Sequence, residues 1–117
     1  MKTLVDIDKE IWEEKRKYFE NYVEYCKKIK KISEELLGSV KVLVFGSVVK
    51  GKWTPASDID VLIISENLSE NWEDNRLIRT MIKSRIGLFT PFQLHLITES
   101  QYEDWFKRFI REDFIEV

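Results

Sequence analysis

The chain has 117 residues, enough for one hydrophobic core and too few for two, and its 44% hydrophobic content excludes a disordered polypeptide. A formal net charge of −2 excludes strong general attraction to polyanions, which weakens the case for a nucleic-acid acceptor while leaving room for one. Cys26 is the only cysteine, so no intrachain disulfide can form. Met1–Glu10 has no apolar leader core, and no run reaches the ~20 residues of a membrane helix; the expectation is a cytoplasmic protein without a membrane segment.

From about Asp8 to Leu37 the apolar residues recur at steps of three and four, which predicts one long helix stopped by Gly38. Its first half carries Trp12, Tyr18, Phe19, Tyr22 and Tyr25, more aromatic surface than one narrow stripe needs. Either the excess serves a partner or the helix packs across a small sheet. The basic run Lys27–Lys31, broken by Ile29, is a solvated helix face before it is an RNA-binding patch. Val40–Phe45 and Asp58–Ile64 have the length and Val/Ile content of strands buried on both faces. The connection between them holds Gly51, Trp53 and Pro55, which is loop chemistry, and Trp53 either stacks on a base or covers the loop. Trp72–Ile86 reads as a second helix through Leu77, Ile78, Met81, Ile82 and Ile86. Phe92–Thr98 is a third strand, and Ser100 with Glu103 forms a capping box opening a last helix to about Arg111, with Trp105, Phe106 and Phe109 on its apolar side. The fold class is α+β: a small mixed sheet of three or four strands with helices against it. It forms one domain over 1–117, divided into the helix 8–37, a core 40–98 and the helix 100–111.

Two polar features interrupt the apolar runs. Asp58 and Asp60 stand two apart where a strand begins, so alternation puts both carboxylates on one face. Carboxylates so close repel each other unless a cation lies between them, and a hard divalent ion such as Mg2+ takes one or two protein carboxylates and completes its shell with water and phosphate. Gly46-Ser47 closes the preceding strand. Glycine there permits a sharp turn and close approach to a ligand, and Val48–Lys50 can form a first helical turn whose N–H groups suit a phosphate, with the Ser47 hydroxyl and the Lys50 ammonium beside them.

At these residues the chain resembles the minimal nucleotidyltransferases, small members of the DNA polymerase beta superfamily. Their signature is Gly-Ser, ten residues, then Asp-x-Asp. Here Gly46-Ser47 is followed by Val48–Ser57 and then Asp58-Ile59-Asp60, with Gly51 and Ser57 also in the family's places. The resemblance implies transfer of a nucleoside monophosphate, AMP from ATP in the first instance, to an acceptor hydroxyl. Asp58 and Asp60 would hold one or two Mg2+ ions, two such ions lying ~3.5–4 Å apart. Gly46, Ser47, Lys50 and Ser57 would bind the nucleotide. Many such stand-alone domains resemble the antitoxin half of a pair with a helical HEPN-type toxin, so the implied partner is such a protein or a second copy.

The family's third acid falls at His95, the only histidine, in Phe92-Gln93-Leu94-His95-Leu96-Ile97-Thr98. A neutral imidazole there can take the acceptor's proton, bind metal, or be a hydrogen-bonded strand residue with no catalytic part. A missing acid also fits the alternative of a degenerate module that binds a nucleotide or a partner without transfer.

Overall fold

The apolar runs pair into one mixed sheet in the order β3-β2-β1-β4, with β1 Lys41–Phe45, β2 Ile59–Ile64, β3 Phe92–Ile97 and β4 Phe114–Glu116. The structure is a computed structural model and describes residues 1–117. β1 runs antiparallel to β2 (Phe45 opposite Asp60) and to β4 (Phe45 opposite Phe114), while β2 and β3 are parallel, with Leu62 opposite His95. A parallel pair requires a crossover, supplied by α3 Arg76–Ile86.

The N-terminal helical region is two helices, α1 Leu4–Glu20 and α2 Tyr22–Leu37. Asn21 breaks it: its backbone leaves the helical region and its side-chain amide donates to the Lys17 carbonyl at 2.9 Å. A periodicity reading passes through such a residue because the apolar stripe continues on both sides. α2 lies across the sheet, burying Cys26, Ile29, Ile32 and Leu37 against Val42, Val44, Ile59, Val61, Ile63 and Ile82 of β1, β2 and α3. Each aliphatic side chain removed from water here contributes roughly 1.5–3 kcal/mol.

The aromatic excess is absorbed by this core. Trp53 stacks on Phe19 with centroids 5.0 Å apart and meets Trp12 at 5.5 Å, so it covers its loop; Tyr18 and Tyr25 pack on Phe92. α3 begins four residues later than its pattern suggests. Asn75 is buried and spends its side chain on the Ser69 backbone (2.8 and 2.7 Å) and the Leu96 carbonyl, holding Trp72–Asn75 in turns. Ile78, Ile82 and Ile86 face the core, whereas Leu77 and Met81 point to solvent.

The opposite sheet face, Leu43, Phe45, Leu62, Ile64 and Ile97, is covered by one helical stretch: α4 Glu99–Gln101, a π-helical segment Tyr102–Phe106 and α5 Lys107–Ile110. Its capping box is Thr98 with Gln101, not Ser100 with Glu103. Tyr102, Phe106 and Ile110, spaced by four, face the sheet. Trp105 and Phe109 are consequently turned outward and stack on each other at 6.0 Å and 5°. Arg111, in a positive-φ turn, reverses the chain into β4. A three-residue strand is set by its pairing to β1 and has no periodicity to announce it.

Candidate active site

Gly46 ends β1 with φ +88°, and a Cβ on it would lie 2.5 Å from Asp60 Oδ2. Glycine is therefore required twice, for the turn and for the carboxylate packed against its backbone. The chain then makes one turn and no helix: the Lys50 N–H donates to the Gly46 carbonyl at 3.4 Å and the Lys52 N–H to the Ser47 carbonyl at 3.0 Å, after which Gly51, at φ +68°, ends it. The turn's hydrogen bonds use the N–H groups of Lys50, Gly51 and Lys52, leaving those of Ser47–Val49 outside them. Val48, buried in the core, anchors the turn from below.

Asp60 and His95 share the face covered by the C-terminal helical stretch and are about a quarter to a third exposed; Asp60 Oδ1 lies 3.4 Å from His95 Nε2, a long hydrogen bond. Phe45 lies against the imidazole, centroids 5.7 Å apart. Asp60 lines a cavity of about 360 Å³ with Phe45, Gly46, Lys50, Phe109, Ile110 and Asp113. Lys50 Nζ is 4.0 Å from Asp113 Oδ2, so the rim carries a cation paired with one carboxylate in the cavity that Asp60 also lines. His95 lines a second cavity, of about 260 Å³, whose other walls include Trp72, Arg76, Arg79 and Phe106. His95 is not among the walls of the Asp60 cavity; its long bond to Asp60 is what links that cavity to the one bearing two guanidinium groups.

Asp58, Ser47 and Ser57 lie outside the walls of the acidic cavity. Asp58 is exposed and precedes β2, so strand alternation does not by itself aim it. Its charge is felt by Lys83, whose ammonium donates to the Thr90 carbonyl (2.7 Å), the Thr90 hydroxyl (3.1 Å) and the Phe92 carbonyl (2.6 Å). Burial holds Lys83 below the usual lysine range, and the negative Asp58 works against that shift. Ser57 accepts from the Thr54 N–H at 2.9 Å, and its own N–H donates to the Thr54 carbonyl, which shapes the loop.

No three His, Cys, Asp or Glu side chains come together as a metal group. A hard cation held by one or two aspartates and completed by water and phosphate needs no such group, and the all-oxygen donors Asp58 and Asp60 fit that chemistry. The sequence offers Arg76, Arg79, Lys83 and Arg85 as helix charges, some reaching phosphates and most solvated, and the structure puts Arg76 and Arg79 on a cavity wall. Sequence reasoning missed Trp72, Phe109 and Asp113 as site residues; the last two carried no signal, because their approach depends on the π-helical segment and the Arg111 turn.

The chain is thus an α+β domain with a glycine turn packed on a strand-borne aspartate. Residues 26–116 match the model of the nucleotidyltransferase domain family, and the chain belongs to that family. It is similar to a solved structure described as a candidate nucleotidyltransferase, at 29% identity and a TM-score of 0.63, covering 78% of this chain and 95% of that one. A second such protein, from Sulfolobus solfataricus, is 21% identical with a TM-score of 0.46 over 80% of this chain and 83% of its own. No curated protein matches the chain. No helix is long and apolar enough to cross a membrane.

Proposed function

We propose that the domain transfers a nucleoside monophosphate, AMP from ATP, to an acceptor hydroxyl. The observation that carries this reading is Asp60, seated against Gly46 and bonded to His95 beside a cavity that Lys50 overhangs. Asp58 and Asp60 would hold Mg2+, which would supply positive charge to neutralise the triphosphate. The free N–H groups of Ser47–Val49 and the Lys50 ammonium receive the outer phosphates. Phe109, on the cavity wall and backed by Trp105, offers a stacking face for the base.

The acceptor enters from the arginine side. Its hydroxyl oxygen forms a bond to the α-phosphorus while the bond to the bridging oxygen breaks and pyrophosphate leaves. With Nε2–H donating to Asp60, Nδ1 of His95 is the basic nitrogen that takes the hydroxyl proton. Arg76 and Arg79, outside every ion pair in the chain, favour an acceptor with negative charge near its hydroxyl. In the toxin–antitoxin form of this proposal, the acceptor is a tyrosine of a HEPN-type partner.

The test is ATP labelled on the α-phosphate, incubated with Mg2+ and the protein, with and without the product of the adjacent gene. Label on an acceptor supports transfer. The absence of a carboxylate at position 95 favours a second reading, a binding module, which predicts saturable ATP binding and no transferred label. Phe109→Ala should weaken ATP binding about tenfold on either reading, in line with ~1–3 kcal/mol per stacked base; unchanged calorimetric affinity removes the stacking face.

A further inference from the structure

α1 lies wholly outside the family match, which begins at Cys26, and its first turns are exposed all round. Every residue from Met1 to Ile11 is exposed, and Leu4 (80%), Val5 (74%), Ile7 and Ile11 are apolar. On a helix of 3.6 residues per turn, Leu4, Ile7 and Ile11 continue the stripe that carries Tyr18 toward Phe92 and Phe19 toward Trp53. The stripe is one, but the body lies under only its second half. Beside that half, a groove of about 520 Å³ runs between Ile11, Lys15 and Tyr18 of α1 and the turn Gly87–Thr90, where Phe89 is fully exposed and Leu88 largely so. An aliphatic ridge therefore adjoins a groove whose apolar walls, Ile11, Tyr18, Leu88 and Phe89, are flanked by Glu10, Glu14 and Lys15.

We infer that a second copy of this chain fills the groove, with α1 of each protomer lying antiparallel to α1 of the other and its Leu4–Ile7–Ile11 ridge seated between Ile11, Tyr18, Leu88 and Phe89 of its partner. Charge decides in favour of self-association. Residues 6–14 carry five acids (Asp6, Asp8, Glu10, Glu13, Glu14) against Lys9, and the next three are Lys15, Arg16 and Lys17. With the axis between residues 11 and 12, an antiparallel copy brings Asp6 into register with Lys17, Asp8 with Lys15 and Lys9 with Glu14, leaving Glu10 with Glu13 as the one like pair, whereas a parallel copy sets like on like throughout. Asp8, which makes no ion pair in its own chain, and Lys15, on the groove wall, lie seven residues apart on the stripe's flank. A twofold axis near Ile11 and Trp12 brings each Asp8 to the other protomer's Lys15. The contact is isologous, so it closes as a dimer.

The experiment uses engineered cysteines. Cys26 is buried, with its thiol pushed up to about 12, so an introduced surface cysteine is the one reactive thiol of the folded chain. Sedimentation equilibrium of the unmodified chain should give a dimer. Ile11→Cys, next to the axis, should oxidise to a covalent dimer at least tenfold faster than Leu4→Cys, which antiparallel packing sends to opposite ends. Ile7→Glu with Phe89→Glu should give a monomer whose circular dichroism is unchanged, because both side chains are exposed in the protomer. A monomer at 100-fold dilution series extremes up to ~1 mM, well above the affinity of standard interfaces, would overturn the proposal. So would Leu4→Cys cross-linking as fast as Ile11→Cys, which marks a parallel pair, or a dimer that survives both glutamates.

Discussion

The two faces of the sheet are built from the same strands and treated in opposite ways. On the helix-covered face Ile59, Val61 and Ile63 of β2 are at 0% exposure beneath α2 and α3. On the other, Leu62 and Ile64 lie under the C-terminal helical stretch, while Asp60 on the same strand stays part-open beside His95. Side-chain alternation makes the division, since one residue's step carries the chain from a closed oil layer to a water-accessible carboxylate. A polar pair is affordable only where the cover runs out. The closed face carries the larger core; the other pairs a smaller core with the candidate site.

Paired substitutions break that comparison most directly. Asp60→Asn should cost on the order of 10³-fold in transfer through loss of cation binding, yet leave the urea midpoint within experimental error. Ile63→Ala, three residues along on the closed face, should cost about 2–5 kcal/mol in urea unfolding with transfer per folded molecule unchanged. A large stability loss in the first or an activity loss in the second would erase the distinction.

His95→Gln sharpens it, testing whether the open face has chemistry beyond binding. Transfer should fall ~10²-fold, and ATP affinity by calorimetry should hold. If ATP affinity falls in proportion, the imidazole only supports Asp60.

Gly46→Ala probes the contact between the faces' shared turn and the carboxylate. The added Cβ meets Asp60 Oδ2 at 2.5 Å in a positive-φ backbone, so a loss of about 1–2 kcal/mol is expected together with a lower transfer rate. Stability and activity falling together would set this residue apart from both pairs above. Smallest is the effect at Cys26. Burial raises its thiol to about 12 from an ordinary 9.0, so its stabilising contribution is fully present below pH 9 and fades only as pH climbs from there toward 12. A thiol reagent at pH 8 should label it only after unfolding; prompt labelling of the native chain would contradict the closed face.

Much of this arrangement was legible beforehand. The apolar runs of β1, β2 and β3 were readable because strands buried on both faces leave continuous Val/Ile segments. Gly46, Asp60 and His95 were readable because each is a polar or flexible residue where apolar strand chemistry demands a reason. The kink at Asn21 was not, since an unbroken stripe hides a local cap. Nor was the inward packing of Trp12 and Phe19, because an aromatic helix face looks the same whether a loop or a partner covers it; that Trp53 covers its loop was the safer of its two readings, and it does. Leu77 and Met81 were read into a helical spacing, and Trp105 and Phe109 onto an apolar side, with nothing in the pattern to say that all four face outward. Asn75 delays one helix, and the π-helical segment changes the phase of the other.

Local sequence determined which residues can be strand, turn and helix, and that a glycine turn and an acidic pair occupy one stretch, because propensity and side-chain alternation act over a few residues. Tertiary structure decided which of those groups meet. Asp60 joined His95 and Lys50, Asp58 came under the influence of Lys83, and Asp113 arrived from the far end of the chain. Those encounters depend on register between strands distant in sequence and on where a helix stops covering a sheet, and no short-range pattern encodes either.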